Sequence, residues 1–130
     1  MGTKEGTIHL DTNCVIGLVT SPSPERSHLL ALLNSGEQFA ASAVAWSEFL
    51  NGPNSAAQVS DAWGMIDGRI IPFGVAEAEI AAQLFNQIGR KRGSKPDCFI
   101  AATAICARTP LVTINRKDFQ PFVPLGLQLA

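Results

Sequence analysis

Lys95-Pro96-Asp97-Cys98-Phe99-Ile100-Ala101-Ala102-Thr103-Ala104-Ile105-Cys106-Ala107 is the stretch around which the rest of the chain is arranged. From Cys98 to Ala107 it carries no charge, and Thr103 is its one polar residue, so a helix here is apolar on every side. Such a helix belongs inside a core, and it is too short to span a bilayer. Asp97 stands at its mouth, where the positive end of the helix dipole favours a carboxylate. A buried helix that opens on an acid is a rigid mount for a site. A local reading competes: Ser94 and Asp97 have capping-box spacing, which would satisfy first-turn donors and nothing more.

The neighbours on either side read as alternating strands and helices. Upstream, Val75 to about Arg92 is a helix, with Ile80, Leu84 and Ile88 at i, i+4 spacing and Ala81 and Phe85 beside them. Glu77 and Glu79 open it, and Arg90, Lys91 and Arg92 are expected in its last turn, matching the dipole at both ends before Gly93 stops it. Downstream, Thr109-Pro110 breaks the core helix, Leu111 to Ile114 is a buried strand, and Asn115 to Phe119 is a turn or helical turn. Leu125, Leu127 and Leu129 alternate with polar or small residues as a final strand would.

Towards the N-terminus, residues 1–6 are expected to be a loose tail, and Thr7 to Leu10 a short strand running into Asp11-Thr12-Asn13. An apolar helix begins near Cys14, capped by Asp11 or Thr12. Ser21-Pro22-Ser23-Pro24 breaks the chain, and Pro24 suits the first turn of a Leu-rich helix ending at Asn34-Ser35-Gly36. Gln38 to Ala41 is a second strand, and Ser42 caps a helix stopped by Asn51-Gly52-Pro53. A helix from about Ser55 to Ile66 carries Ala56, Val59, Trp63 and Ile66 on one side, and Arg69 to Phe73 is a third strand whose Pro72 marks an edge or an end. This alternation predicts an α/β fold, a three-layer α/β/α sandwich on a mostly parallel sheet, with residues 1–130 as a single domain.

Composition narrows the class. Hydrophobic residues make up 46% and charged residues 16%, which argues against disorder. No stretch has the apolar length of a membrane span, and the first residues have no signal-peptide core. Cys14, Cys98 and Cys106 are odd in number, without CxxC spacing and in apolar surroundings, so a cytoplasmic protein with reduced thiols is expected. A net charge of -1 does not by itself point to nucleic acid.

The chemistry lies where parallel strands end. Asp11 directly follows the first strand, Asn115 and Asp118 follow the strand at Leu111–Ile114, and Asp97 opens the core helix. Glu48 shares a helix side with Val44 and Ala45, where an unpaired carboxylate is costly. Acids that converge at one sheet edge need a cation between them. Oxygen donors with no His and no paired Cys select Mg²⁺ or Mn²⁺ over zinc. Taken singly, Asp11 also reads as a helix cap, Glu48 as a solvated helix residue, Asp118 as a turn residue and Asn115 as a cap. His9 reads as a packed strand residue, and no Ser or Cys has a general base beside it. An Asp-x-Asp phosphotransfer motif fails because Asn13 occupies its second position.

Arg90, Lys91, Arg92 and Lys95 lead to Asp97, while Arg116 and Lys117 flank the other acids. Positive charge beside an acidic pocket suits a phosphate backbone, though the same residues also suit a helix end or a solvated loop. Tyr is absent and the aromatics sit in apolar settings, so base stacking has no support in the sequence.

Leu10-Asp11-Thr12-Asn13, Ser47-Glu48-Phe49, Asp97-Cys98-Phe99-Ile100-Ala101-Ala102-Thr103-Ala104 and Thr113-Ile114-Asn115-Arg116-Lys117-Asp118-Phe119 resemble the PIN-domain family in their order and over nearly the whole chain. The chain length is similar to that of VapC-type toxins. The resemblance implies an endoribonuclease dependent on Mg²⁺ or Mn²⁺, with Asp11, Glu48 and Asp97 as the acidic, metal-holding core. It implies Thr12 in support, with Asn13 beside it, and the family's fourth position on Asn115, with Asp118 close behind. RNA would meet Arg90, Lys91, Arg92, Lys95 and Arg116. A small antitoxin partner and a homodimer are implied too, and no membrane. The competing expectations are a PIN-like scaffold that binds without cutting, and an RNA-processing nuclease that is not a toxin.

Overall fold

Four short β segments, each followed by helix, set the order of the chain. The computed structural model describes residues 7–20 and 23–130, so the tail expected at residues 1–6 and part of the break at Ser21-Pro22 lie outside the described residues. Strand β1 (Thr7–Leu10) leads into helix α1 (Thr12–Val19), and α2 (Pro24–Asn34) follows with Pro24 in its first turn and the Ser23 hydroxyl capping it. Then come β2 (Gln38–Ser42), α3 (Ala43–Asn51), α4 (Ala56–Ile66) and β3 (Ile70–Ile71). Next are α5 (Val75–Gln87), α6 (Lys95–Ala107), β4 (Leu111–Val112), α7 (Arg116–Phe119) and a 3-10 helix over Gln120–Leu125.

The sheet is parallel throughout, in the order β3-β2-β1-β4, with Thr7 opposite Gln38, Leu10 opposite Ala41 and Leu10 opposite Val112. Side chains alternate across it. Ile8, Leu10, Phe39, Ala41 and Val112 pack with residues of α1, α2 and α4 on one side. Leu111 packs with α6, Ala81 and Leu84 of α5, and Phe119 and Phe122 on the other. The result is the expected three-layer α/β arrangement. Cys98, Ile100, Ala101, Ala102, Thr103 and Ala104 of α6 are all buried, as an all-round apolar helix requires. Among the described residues no helix is long and apolar enough to cross a membrane, and the three cysteines are free.

Several boundaries differ from those expected. Helix α5 ends at Gln87, because Gly89 (φ 78°) and Arg90 (φ 58°) both enter the left-handed region. The basic trio therefore lies in the loop beyond the helix rather than in its last turn. The Ser94–Asp97 capping box does not form: Ser94 has helical backbone angles, and its hydroxyl donates to the Lys91 carbonyl at 2.7 Å. On α4 the buried side runs through Ala62 and Ile66, while Ala56 is exposed and Trp63 stays 50% exposed against Trp46. Strand β3 is an edge, as Pro72 suggested, but only two residues pair. Ile114 falls outside β4 and is exposed. The expected final strand is reduced to one parallel bridge, Leu129 with Leu111, because Pro121 and Pro124 turn the preceding segment into the 3-10 helix.

Candidate active site

The carboxyl ends of β1 and β4 deliver the first acid. Asp11 caps α1 and is buried; its Oδ1 accepts from the Cys14 amide at 2.8 Å, and its Oδ2 accepts from the Thr113 hydroxyl. Thr113, just beyond β4, also accepts from the Asn115 amide at 2.9 Å, so one hydroxyl fixes both Asp11 and the start of the loop carrying Asn115. Thr12, the first residue of α1, donates to Glu48 Oε1 at 2.5 Å, and this ties α1 to α3. Both threonines are β-branched, so the hydroxyls that hold the acids have few rotamers open to them.

Asp97 arrives from the third direction, in the first turn of α6. It is half-buried, and its pKa is pushed up to about 6, first by burial and then by the charges of Asp118, Asp11 and Glu48, with Lys91 pulling the other way. Asp11, Thr12, Asn13, Glu48, Asp97 and Asn115 line one cavity of about 310 Å³, together with Ile100 and Phe119. Asp97 also borders a second cleft of about 550 Å³, which Asp118 lines. Of the two residues expected near the fourth position, Asn115 thus lines the acid cavity and Asp118 the neighbouring cleft.

The three carboxylates lining the cavity offer oxygen, as a hard cation prefers. Among the described residues no three His, Cys, Asp or Glu side chains close into a ready-made cage. Neither His9 nor Cys14 lines this cavity. His9 is buried in β1, its Nδ1 has no hydrogen-bond partner, and burial lowers its pKa to about 4, so the ring is neutral. Burial, reinforced by Asp11, raises the Cys14 thiol far above its ordinary pKa, and its Sγ donates to the Val112 carbonyl.

The expected basic patch is divided. Lys91 and Arg92 line the cleft beside Asp97, together with Lys117. Arg90 and Lys95 instead flank a separate groove between α5 and α6, and Arg116 donates to the Ala130 carbonyl at 2.8 Å. Thr113 has no role that the sequence alone assigns. Its signal there is faint: a Thr closing a buried strand two residues before Asn115, with its partner Asp11 at the other end of the chain.

The sequence profile of the PIN domain matches residues 8–120, which covers every element that brings an acid to this cavity. The chain belongs to the PIN-domain family. Ribonuclease VapC of Rickettsia bellii (strain RML369-C) is 38% identical over 53 residues, a segment amounting to 39% of this PIN-domain chain and 40% of that protein. The chain thus matches well under half the length of that curated relative. Among solved structures, VapBC2 from Rickettsia felis, bound to a DNA fragment from its promoter, shares the fold with a TM-score of 0.72. It is 24% identical, with 95% of this chain and 97% of that chain covered. A toxin–antitoxin complex from Klebsiella pneumoniae gives a TM-score of 0.67 at 30% identity, covering 86% and 89% of the two chains.

Proposed function

We propose that this PIN domain is a divalent-metal-dependent endoribonuclease, hydrolysing RNA phosphodiester bonds as the toxin of a VapBC-type toxin–antitoxin pair. The observation that carries the reading is that Asp11, Glu48 and Asp97, distant in sequence, line one cavity, where burial first and then the neighbouring carboxylates raise Asp97. A Mg²⁺ or Mn²⁺ ion held there would supply an acidified water and offset the charge that builds on the phosphate. Asp11, Glu48 and Asp97 would hold it, directly or through waters. The Cys14 amide and the Thr113 hydroxyl keep the Asp11 carboxylate aimed, and Thr12 does the same for Glu48. Asn13 borders the cavity beside them.

Asn115 lines the cavity and would orient the attacking water, while Asp118 would add negative field from the cleft side. An amide at residue 115 leaves one charge fewer than a carboxylate would, which disfavours a second tightly held ion. The partners proposed are RNA, a small antitoxin protein and a second copy of the chain, in the cytoplasm, with the whole chain acting as one domain. The likeness to a VapC ribonuclease and to a toxin–antitoxin complex supports the pairing.

Incubating the purified protein with total RNA in Mg²⁺, Mn²⁺ or EDTA tests the chemistry. Cutting is expected with the metals, absent in EDTA, and abolished in Asp11→Asn and Asp97→Asn. Expression of the wild type is expected to arrest growth and expression of Asp97→Asn to spare it. Either variant cutting at the wild-type rate overturns the assignment.

A further inference from the structure

Six basic residues surround the acids in sequence, and the structure sends them in three directions. Arg90 and Lys95 converge on one ring, with the guanidinium 5.1 Å and the ammonium 5.4 Å from the Phe85 centroid, and Arg90 also donates to Asn86 Oδ1 at 2.6 Å. Cation–π contacts and a hydrogen bond hold both in the groove lined by Phe73 and Phe99, away from Asp97. Arg116 is engaged with the chain end. Of the six, Lys91, Arg92 and Lys117 line the cleft that begins at Asp97, and among the described residues none of the three is in an ion pair.

That cleft has the features of a nucleotide seat. Its volume of about 550 Å³ lies within the range of small-ligand pockets, about 300–1,000 Å³. Ile88 and Pro121 give it an apolar lining, against which a ribose or base can lie, over the buried Phe122. Gln87 offers an amide with both a donor and an acceptor, while the Ser94 hydroxyl is already engaged with the Lys91 carbonyl. The charges in the lining are of both signs: Asp97 and Asp118 repel phosphate, and the three cations supply the attraction. A strand lying in the cleft therefore keeps its intact phosphates on the cations and brings only its next phosphodiester to the acids.

We infer that the cleft lined by Lys91, Arg92 and Lys117 seats the RNA nucleotide beside the scissile phosphate, with Gln87 reading its base. Arg90, Lys95 and Arg116 take no part in holding that strand. This inference rests on the ribonuclease reading and assigns the substrate path within it.

Binding of a fluorescent single-stranded RNA, measured in EDTA across a salt series, tests the path without cutting. For a single strand, every phosphate that the protein neutralises adds about 0.7 to the slope of log affinity against log salt, so Lys91→Ala/Arg92→Ala/Lys117→Ala should lower that slope by about 2. Lys91→Arg/Lys117→Arg should retain the wild-type slope, and Arg90→Ala/Lys95→Ala should leave it unchanged. In cleavage with Mn²⁺, Gln87→Ala should keep the salt slope and change the preference for the base flanking the cut. A folded triple variant with the wild-type slope overturns the path, as does a lowered slope in Arg90→Ala/Lys95→Ala. A wild type that cuts RNA while either of those holds leaves the ribonuclease reading standing. A wild type that neither binds nor cuts RNA sinks both.

Discussion

Replacing Asp97 by Asn should make the metal-free protein more stable at neutral pH. Asp97 is raised from 3.8 to about 6, so between those values the folded state holds a proton that the unfolded chain gives up. Stability then falls as pH rises from about 4 through about 6 and stays flat above, the reverse of a salt-bridged aspartate. The helix dipole, worth about 0.3–1 kcal/mol to a first-turn acid, works in favour of the charged form and is outweighed. At about 1.4 kcal/mol per pKa unit the nominal cost is about 3 kcal/mol, and solvent screening of a half-buried group reduces it to about 1 kcal/mol. Thermal melts of wild type and Asp97→Asn in EDTA, from pH 4 to 8, are the assay. The two should melt nearly together at pH 4, and the variant should melt about 4 °C higher at pH 7. Millimolar Mg²⁺ or Mn²⁺ should then raise the wild type and leave the variant where it was. A wild type more stable than the variant at pH 7 in EDTA would refute the claim that burial and the neighbouring carboxylates hold Asp97 above its ordinary range.

Thr113→Val keeps the shape but removes the donor to Asp11, which is buried, and the acceptor for the Asn115 amide, which is part-buried. Chemical denaturation should show a fall in stability of about 1–3 kcal/mol, and titration should show metal binding weakened about 10–100-fold, with Thr113→Ser recovering most of both. Ala102 is fully buried on α6, so Ala102→Leu forces extra volume into a closed space and should cost about 1–3 kcal/mol or more in the same denaturation assay. Thiol labelling with a disulfide reagent at pH 8 should modify Cys106 first, whereas Cys14 and Cys98, both buried, should react only on unfolding.

The strand–acid–helix unit at Asp11, the Ser42 cap and the edge position of β3 were legible because each is set by neighbours in sequence. The same holds for α6, whose burial follows from its composition alone. The structure departs from the sequence reading where two local signals compete or where the partner is remote. Gly89 and Gly93 both offer a helix stop, and only the backbone decides that the first is used, which moves three cations out of a helix, two of them into the cleft. The Ser94 hydroxyl could have capped the helix or bonded backward, and the Lys91 carbonyl won. The division of the basic patch could not be read from spacing, since Lys91 and Arg92 differ from Arg90 only in which way the loop turns after a left-handed residue. Thr113 acts through Asp11, 102 positions away, a distance no local pattern spans.

The sheet is long in the middle and clipped at both rims: β1 and β2 run four and five residues, β3 and β4 two each. On one rim Pro72 follows at once, and on the other the chain end lies alongside through the single Leu129 bridge. An intact molecule therefore offers a passing chain almost no run of free amides to copy, and templated stacking of native subunits has little to start from. Precipitation on heating should accordingly follow the rate of unfolding rather than the concentration of folded protein, so whatever slows opening also extends shelf life.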